Sequence, residues 1–248
     1  MTVSTMHSSG MFYGVGVGPG PQKLLPVAAV EAINESDLII LPRGKEAKMS
    51  IAGRCVEWLS LPESKTIEIV YNMETDPNSL LGSYSTLAEQ IAEHLVAGQS
   101  VCYLTLGDSL TYSTYSYLLL ALQRRLPGLR HKTIPGITSY AAIASACNFP
   151  LGQGKERILI LPCPESADTL EKDILDHDIV VLMKIGHRLP VVLKVLSRLQ
   201  IMQHCAFANN FGLPGETVCE RADQLPPGET TGYFSTMLIR KNTPGETE

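Results

Sequence analysis

Val101-Cys102-Tyr103-Leu104-Thr105-Leu106-Gly107-Asp108-Ser109 decides the fold of this chain of 248 residues. Its first six residues form an apolar run with the length and character of a buried strand. The run breaks at Gly107-Asp108-Ser109 and passes into a hydroxyl-rich segment, Thr111-Tyr112-Ser113-Thr114-Tyr115-Ser116-Tyr117. A helical pattern follows to about Arg125. A second short strand, near residues 131–134, ends at Pro135-Gly136-Ile137-Thr138-Ser139. Two strands thus end in glycine-bearing turns that deliver polar groups. In open α/β sheets ligands sit beyond the carboxyl ends of the strands. The two turns are therefore read as walls of one small-molecule site.

Working outward, the first half alternates strand and helix patterns. Strands are expected at Met11-Phe12-Tyr13-Gly14-Val15-Gly16-Val17, Asp37-Leu38-Ile39-Ile40-Leu41 and Ile67-Glu68-Ile69-Val70. Helices are expected over residues 22–34, 49–59 and 79–97, the last with Leu80, Leu87, Ile91 and Leu95 near a 3.6 period and Gly98 as its stop. This alternation is the pattern of a mostly parallel sheet. Beyond residue 125, strands are expected at 131–134, 157–161 and 178–183, with helices over 138–147, 167–175 and 189–199. Three late strand patterns, 205–209, 216–219 and 233–239, have no helix between them, which predicts a mixed second sheet. The expected organisation is a loose extension (1–10), an N-terminal α/β domain (11–125) and a C-terminal α/β domain (126–248).

Composition narrows the function. The formal net charge of -5 argues against a bulk nucleic-acid binder, which needs a basic surface. No apolar run approaches the roughly 20 residues of a membrane span, and residues 1–10 lack the features of a signal peptide. The 6 cysteines contain no C-x-x-C pair. They read as reduced thiols of a cytoplasmic protein, without zinc-ligand spacing. The histidines share no helical face and suggest no metal site.

Gly14-x-Gly16-x-Gly18-x-Gly20 invites a dinucleotide reading, but the spacing fails. A G-x-G-x-x-G pattern needs glycine where Pro19, Pro21 and Lys23 stand, and no Gly-Lys-Ser/Thr follows. The segment reads instead as a tight loop that lets backbone approach a ligand, with proline suited to the next helix's first turn.

Taken in order, Val17-Gly18-Pro19-Gly20, Gly107-Asp108, Pro135-Gly136-Ile137-Thr138-Ser139 and Val180-Val181-Leu182-Met183-Lys184 resemble the tetrapyrrole methylase family, the S-adenosylmethionine-dependent enzymes of cobalamin and siroheme synthesis. Tyr112-Ser113-Thr114-Tyr115 is similar to the precorrin-2 / cobalt-factor-II C20-methyltransferase branch. The resemblance implies two α/β domains, the methyl donor in a cleft between them, and a homodimer. Carried over by position, it implies donor contacts at Leu106, Gly107, Asp108, Thr111 and Tyr112, then at Thr138 and Ser139. It also implies Met183 and Gly212 near the adenosyl group, Pro19 beside the methyl group, and Gly18 and Gly20 along the macrocycle. The sequence departs from the family pattern twice. Pro21-Gln22 replaces an Asp-Pro pair, removing an acidic group, and Ser109 replaces a proline, which is expected to cost turn rigidity.

Methyl transfer from an activated donor needs positioning and exclusion of water more than a strong nucleophile. The absence of a Ser-His-Asp or Cys-His pattern therefore fits. A proton must leave the methylated carbon, and Tyr112 is the candidate relay, with a packing wall as its plainer role. Asp108 has a plainer role too, as a turn cap, and Met183 as core. An anionic tetrapyrrole substrate calls for local cations on this acidic chain. Arg43 and Lys45, in the cluster with Lys48 and Arg54, are the expected carboxylate contacts, while Arg124, Arg125 and Arg130 read as surface. No nucleic-acid or membrane partner is expected. Uroporphyrinogen III methylation and a non-catalytic tetrapyrrole-binding role are the alternatives.

Overall fold

The computed structural model describes residues 9–45, 47–71, 77–226, 228 and 231–241. Its contacts divide the chain into two compact units, Met1–Thr138 and Ser139–Glu248.

The first unit holds β1 (Phe12–Gly16), α1 (Val27–Glu35), β2 (Leu38–Gly44), α2 (Ile51–Cys55), β3 (Thr66–Tyr71), α3 (Pro77–Val96), β4 (Val101–Thr105), α4 (Tyr115–Arg125) and β5 (His131–Ile134). The strands form a sheet of order β3-β2-β4-β1-β5 in which every pairing is parallel. All carboxyl ends of these strands therefore lie along one edge. β4 is central and wholly buried, as its apolar run predicts. Its side chains alternate between faces, the period of 2 that a pleated strand imposes. Val101 and Tyr103 pack with Phe12, Leu38 and Ile40 against Leu87, Ile91 and Leu95 of α3 and Leu118 and Leu122 of α4. Cys102 and Leu104 join Val15, Ile39 and Ile134 in a second cluster with Ala29, Ala32 and Ile33 of α1 and Ala52 of α2.

β5 belongs to the first sheet. It lies past the junction expected after residue 125, yet it pairs with β1, Phe12 opposite His131 and Val15 opposite Ile134. The first compact unit accordingly runs on to Thr138. Two expected helices are also shorter. The 22–34 segment splits into a 3-10 turn, Gln22–Leu24, and α1. Pro26 causes the break: the residue before a proline is pushed out of the α region, and Leu25 is extended at φ -75, ψ 124. The 49–59 segment keeps only α2, capped by the Ser50 hydroxyl accepting from the Gly53 amide, before a 3-10 turn at Glu57–Leu59. Of the expected extension, residues 1–8 lie outside the described residues. Gly10 is buried and donates its amide to the Leu95 carbonyl at 2.8 Å.

The second unit holds α5 (Ser139–Ala146), β6 (Ile158–Pro162), α6 (Ala167–Asp176), β7 (Ile179–Met183), α7 (Leu189–Arg198), β8 (Cys205–Asn209), β9 (Thr217–Cys219) and β10 (Ser235–Arg240). The sheet order is β6-β7-β10-β8-β9. Only β6 and β7 are parallel, and β10 runs antiparallel to both β7 and β8. The mixed sheet expected from three consecutive late strands is present. One face packs Val180, Leu182, Phe207 and Met237 on α6 and α7, and the other packs Val181, Ala206, Ala208 and Leu238 on Ile143 and Ala144 of α5.

Candidate functional site

Three turns leave the carboxyl edge of the first sheet side by side, after β1, β4 and β5. Backbone joins the first two. The Gly107 amide donates to the Gly18 carbonyl at 2.7 Å, and the Gly18 amide donates to the Gly107 carbonyl at 3.1 Å. Both glycines have a positive φ, +75 and +74, a region other residues enter at a cost. Gly16, ending β1, and Gly136, in the turn after β5, are needed for close approach. A Cβ on Gly16 would stand 2.5 Å from the Gly136 nitrogen, and one on Gly136 would stand 2.0 Å from the Gly107 carbonyl oxygen. The first sheet thus ends in close-packed bare backbone.

Asp108 joins the second turn to the third. Its Oδ1 accepts from the Leu110 amide at 3.0 Å, the Thr111 amide at 3.0 Å and the Thr111 hydroxyl at 2.9 Å. Its Oδ2 accepts from the Gly136 amide at 3.1 Å. Burial alone would push this carboxyl upward. The hydrogen bonds from Leu110, Thr111 and Gly136 outweigh it and hold the group below the usual carboxylate range. Asp108 therefore does carry the turn-capping role, and it does so ionised. Oδ1 is crowded by its donors, whereas Oδ2 takes one of them and a carboxylate oxygen has capacity for more. A ligand bearing hydroxyl or ammonium donors fits that oxygen.

Ser109 completes the junction. It is fully buried. Its hydroxyl lies 2.6 Å from the Ile134 carbonyl of β5 and 3.4 Å from the Gly14 carbonyl of β1. The rigidity expected to be lost with the family's proline is supplied here by this tie. The sequence marks the two glycine-bearing turns as walls of one site, but it gives no individual role to Gly16 or Gly136 and none beyond a lost proline to Ser109. Gly16, the last residue of β1, was the available signal for close approach.

The remaining expected residues fall as follows. Pro19 is buried and Gly20 half-buried in the first turn, and Leu106 is half-buried beside the α1 cluster. Tyr112 is 46% exposed and takes a left-handed conformation, φ 51. Thr138 and Ser139 are half-buried, Ser139 opening α5. In the second unit Met183 ends β7, half-buried against the α5 face, and its carbonyl accepts from the Cys163 amide at 2.7 Å. Gly212 has φ +70 and donates its amide to Glu216 Oε1 at 3.0 Å.

Arg43 is committed elsewhere in its own unit. Its Nε pairs with Glu68 at 3.0 Å and an amino group donates to the Ala47 carbonyl at 2.6 Å, while Glu68 also accepts from the Ser50 amide. The guanidinium shapes the loop after β2. Lys45, on that loop, is exposed. The buried cysteines are poor nucleophiles: burial pushes the Cys55 thiol up to about 11 and raises Cys102 and Cys205 as well.

The family profile of the tetrapyrrole (corrin/porphyrin) methylases matches residues 11–225, spanning all three turns. The chain belongs to the tetrapyrrole methylases. These enzymes are S-adenosylmethionine-dependent C-methyltransferases. Among relatives, the precorrin-2 C(20)-methyltransferase of Sinorhizobium sp is 31% identical over 93% of this chain and 95% of its own length. The probable cobalt-precorrin-2 C(20)-methyltransferase of Methanocaldococcus jannaschii is 35% identical over 92% of this chain and 95% of its own. Among solved structures, the uroporphyrin-III C-methyltransferase of Thermus thermophilus complexed with S-adenyl homocysteine superposes with a TM-score of 0.61. It is 16% identical and covers 94% of this chain and 97% of that one, which shows the shared methylase fold. No helix among the described residues is long and apolar enough to cross a membrane.

Proposed function

We propose that this tetrapyrrole methylase transfers a methyl group from S-adenosylmethionine to C20 of a precorrin-2-type macrocycle, metal-free or cobalt-bearing, in cobalamin synthesis. The observation that carries the substrate class is near full-length similarity to two C20-methyltransferases, at 31% and 35% identity. When bound, S-adenosylmethionine supplies a methyl group already activated for displacement. The protein's task is then positioning. Leu106, Gly107, Asp108, Thr111 and Thr138 hold the donor, with Asp108 Oδ2 accepting from it. Ser139, Met183 and Gly212 are further donor contacts. Pro19 borders the transferred methyl group, and Gly18 and Gly20 face the macrocycle. Lys45 meets a substrate carboxylate. Arg43 serves this by ordering the loop that carries Lys45. Tyr112 borders the donor turn. The protein works in the cytoplasm as a homodimer, a setting that suits its free thiols.

Anaerobic incubation with S-adenosylmethionine and either precorrin-2 or cobalt-sirohydrochlorin, followed by mass spectrometry and NMR, tests this reading. Gain of one methyl group at C20 in either tube is expected, and the tube that gains it assigns the metal state. Methylation at another carbon, or none with either macrocycle, would sink the substrate assignment. In the same assay Tyr112→Phe separates a proton relay, with turnover down by about tenfold or more, from a packing wall, with turnover unchanged.

A further inference from the structure

We infer that Ser109 is a positioning residue for donor binding, acting through the Pro135-Gly136 turn. The inference rests on the reading of these turns as the donor site. Three consecutive residues of the β4 turn each grip a different piece of neighbouring backbone. Gly107 is paired with Gly18 of the β1 turn. Asp108 Oδ2 holds the Gly136 amide at 3.1 Å. The Ser109 hydroxyl reaches the Ile134 carbonyl at 2.6 Å. Asp108 and Ser109 thus hold the chain on both sides of Pro135, and Thr138 lies just beyond, after Ile137.

The hydroxyl is fully buried, so it must donate to a protein acceptor. It carries a single proton. The shorter contact marks Ile134 as the acceptor, with the Gly14 carbonyl at 3.4 Å a weaker second. That puts the side chain at the seam between β1 and β5. β5 is an edge strand of four residues paired on one side by β1. An edge strand this short has few ladder bonds to fix its end, so a side-chain tie at its last residue has large leverage on the turn beyond. Ser109 has no donor contact assigned to it. Its effect is to keep the Thr138 turn at its working distance from Gly107 and Asp108.

The test is calorimetric titration of S-adenosylhomocysteine into the wild type, Ser109→Ala and Ser109→Cys, with steady-state kinetics on the same samples. Ser109→Cys fills the site with a slightly larger group but offers only a weak donor. Both variants are expected to bind about tenfold more weakly. The KM for S-adenosylmethionine should rise in step, while kcat at saturating donor and the KM for the tetrapyrrole stay within about twofold. Wild-type affinity in Ser109→Ala overturns the inference. So does recovery in Ser109→Cys, because filling a cavity would then suffice. If Ser109→Ala does not fold, Ser109→Cys alone decides between these outcomes. Failure of the wild type itself to bind the probe would instead overturn the donor reading of the turns, and this inference with it.

Discussion

The turn cluster at the end of the first sheet and the clamp at the end of β10 fix loops to strands by opposite means. In the second unit Arg240, at the last position of β10, is buried together with Glu156, their side chains 4% and 8% exposed. The guanidinium also donates to the Pro150 carbonyl at 2.7 Å and lies over the Phe149 ring at 5.8 Å. One long side chain thus holds the segment between α5 and β6 with full charges. In the first unit Asp108 is also an ionised carboxylate, but it accepts from the neutral amides of Leu110, Thr111 and Gly136 and from the Thr111 hydroxyl. In a buried ion pair each charge is neutralised by the other. A carboxylate held by neutral donors keeps its net charge and some accepting capacity. The first design suits a joint that must stay shut, and the second suits the ligand contact proposed for Asp108.

The largest effect is expected at the clamp. Arg240→Met leaves Glu156 buried without its counter-charge, which costs about 3–5 kcal/mol. The double variant Arg240→Met/Glu156→Leu should recover much of that loss, because a well-packed apolar pair often matches a buried ion pair. Denaturant unfolding measures both. S-adenosylhomocysteine affinity, measured where the variants remain folded, should stay at the wild-type value. A clamp variant that binds the probe poorly while folded would erase the distinction between the two joints.

Gly136→Ala comes next. Its Cβ would lie 2.0 Å from the Gly107 carbonyl oxygen, a backbone atom that cannot rotate away. Overpacking of this kind costs about 1–3 kcal/mol. Here the strain falls on the turns proposed to hold the donor, so probe binding should drop below detection while most of the stability survives. This reverses the expectation for Arg240, and the two variants together sharpen the contrast. Unchanged probe affinity in Gly136→Ala would show that the glycine packing serves folding alone.

The different legibility of the two joints in the sequence follows from how far their parts lie apart. The largely apolar 101–106 run predicts a buried strand, and β4 is the centre of its sheet. Gly107-Asp108 signals a capped turn because that turn closes on the next few residues. The late strands without helices predict the mixed sheet for the same local reason. Non-local partners leave no such trace. Nothing near Arg240 points to Glu156, 84 positions away, and nothing near Arg43 points to Glu68. His131-Lys132-Thr133-Ile134 reads as a short strand, but nothing near it names β1 as its partner. Ser109 reads as a lost proline until its acceptors on Ile134 and Gly14 are seen, 25 and 95 positions distant.

The smallest effect, and the most selective, belongs to Asp108→Asn. An unpaired carboxyl titrates near pH 4, at about 3.9, and in the folded protein that of Asp108 titrates lower. Burial works against the charged form, but the donors from Leu110, Thr111 and Gly136 prevail. The unfolded chain therefore takes up a proton more readily than the native one. The stabilisation is fully present above about pH 4 and is lost as the pH falls through the depressed native value. The side chain is partly exposed, so solvent tempers the gain, and about 1 kcal/mol near neutral pH is the expected cost of the substitution. The gap between the two unfolding curves should close as the pH drops below 4. Binding should suffer more than stability. If the asparagine oxygen keeps the place of Oδ1, its amide nitrogen faces the Gly136 amide, donor against donor. The link from the β4 turn to the β5 turn is then broken, and S-adenosylhomocysteine should bind about tenfold more weakly at neutral pH. Wild-type affinity in Asp108→Asn would mean that the neutral-donor joint is built for folding, like the clamp it was contrasted with.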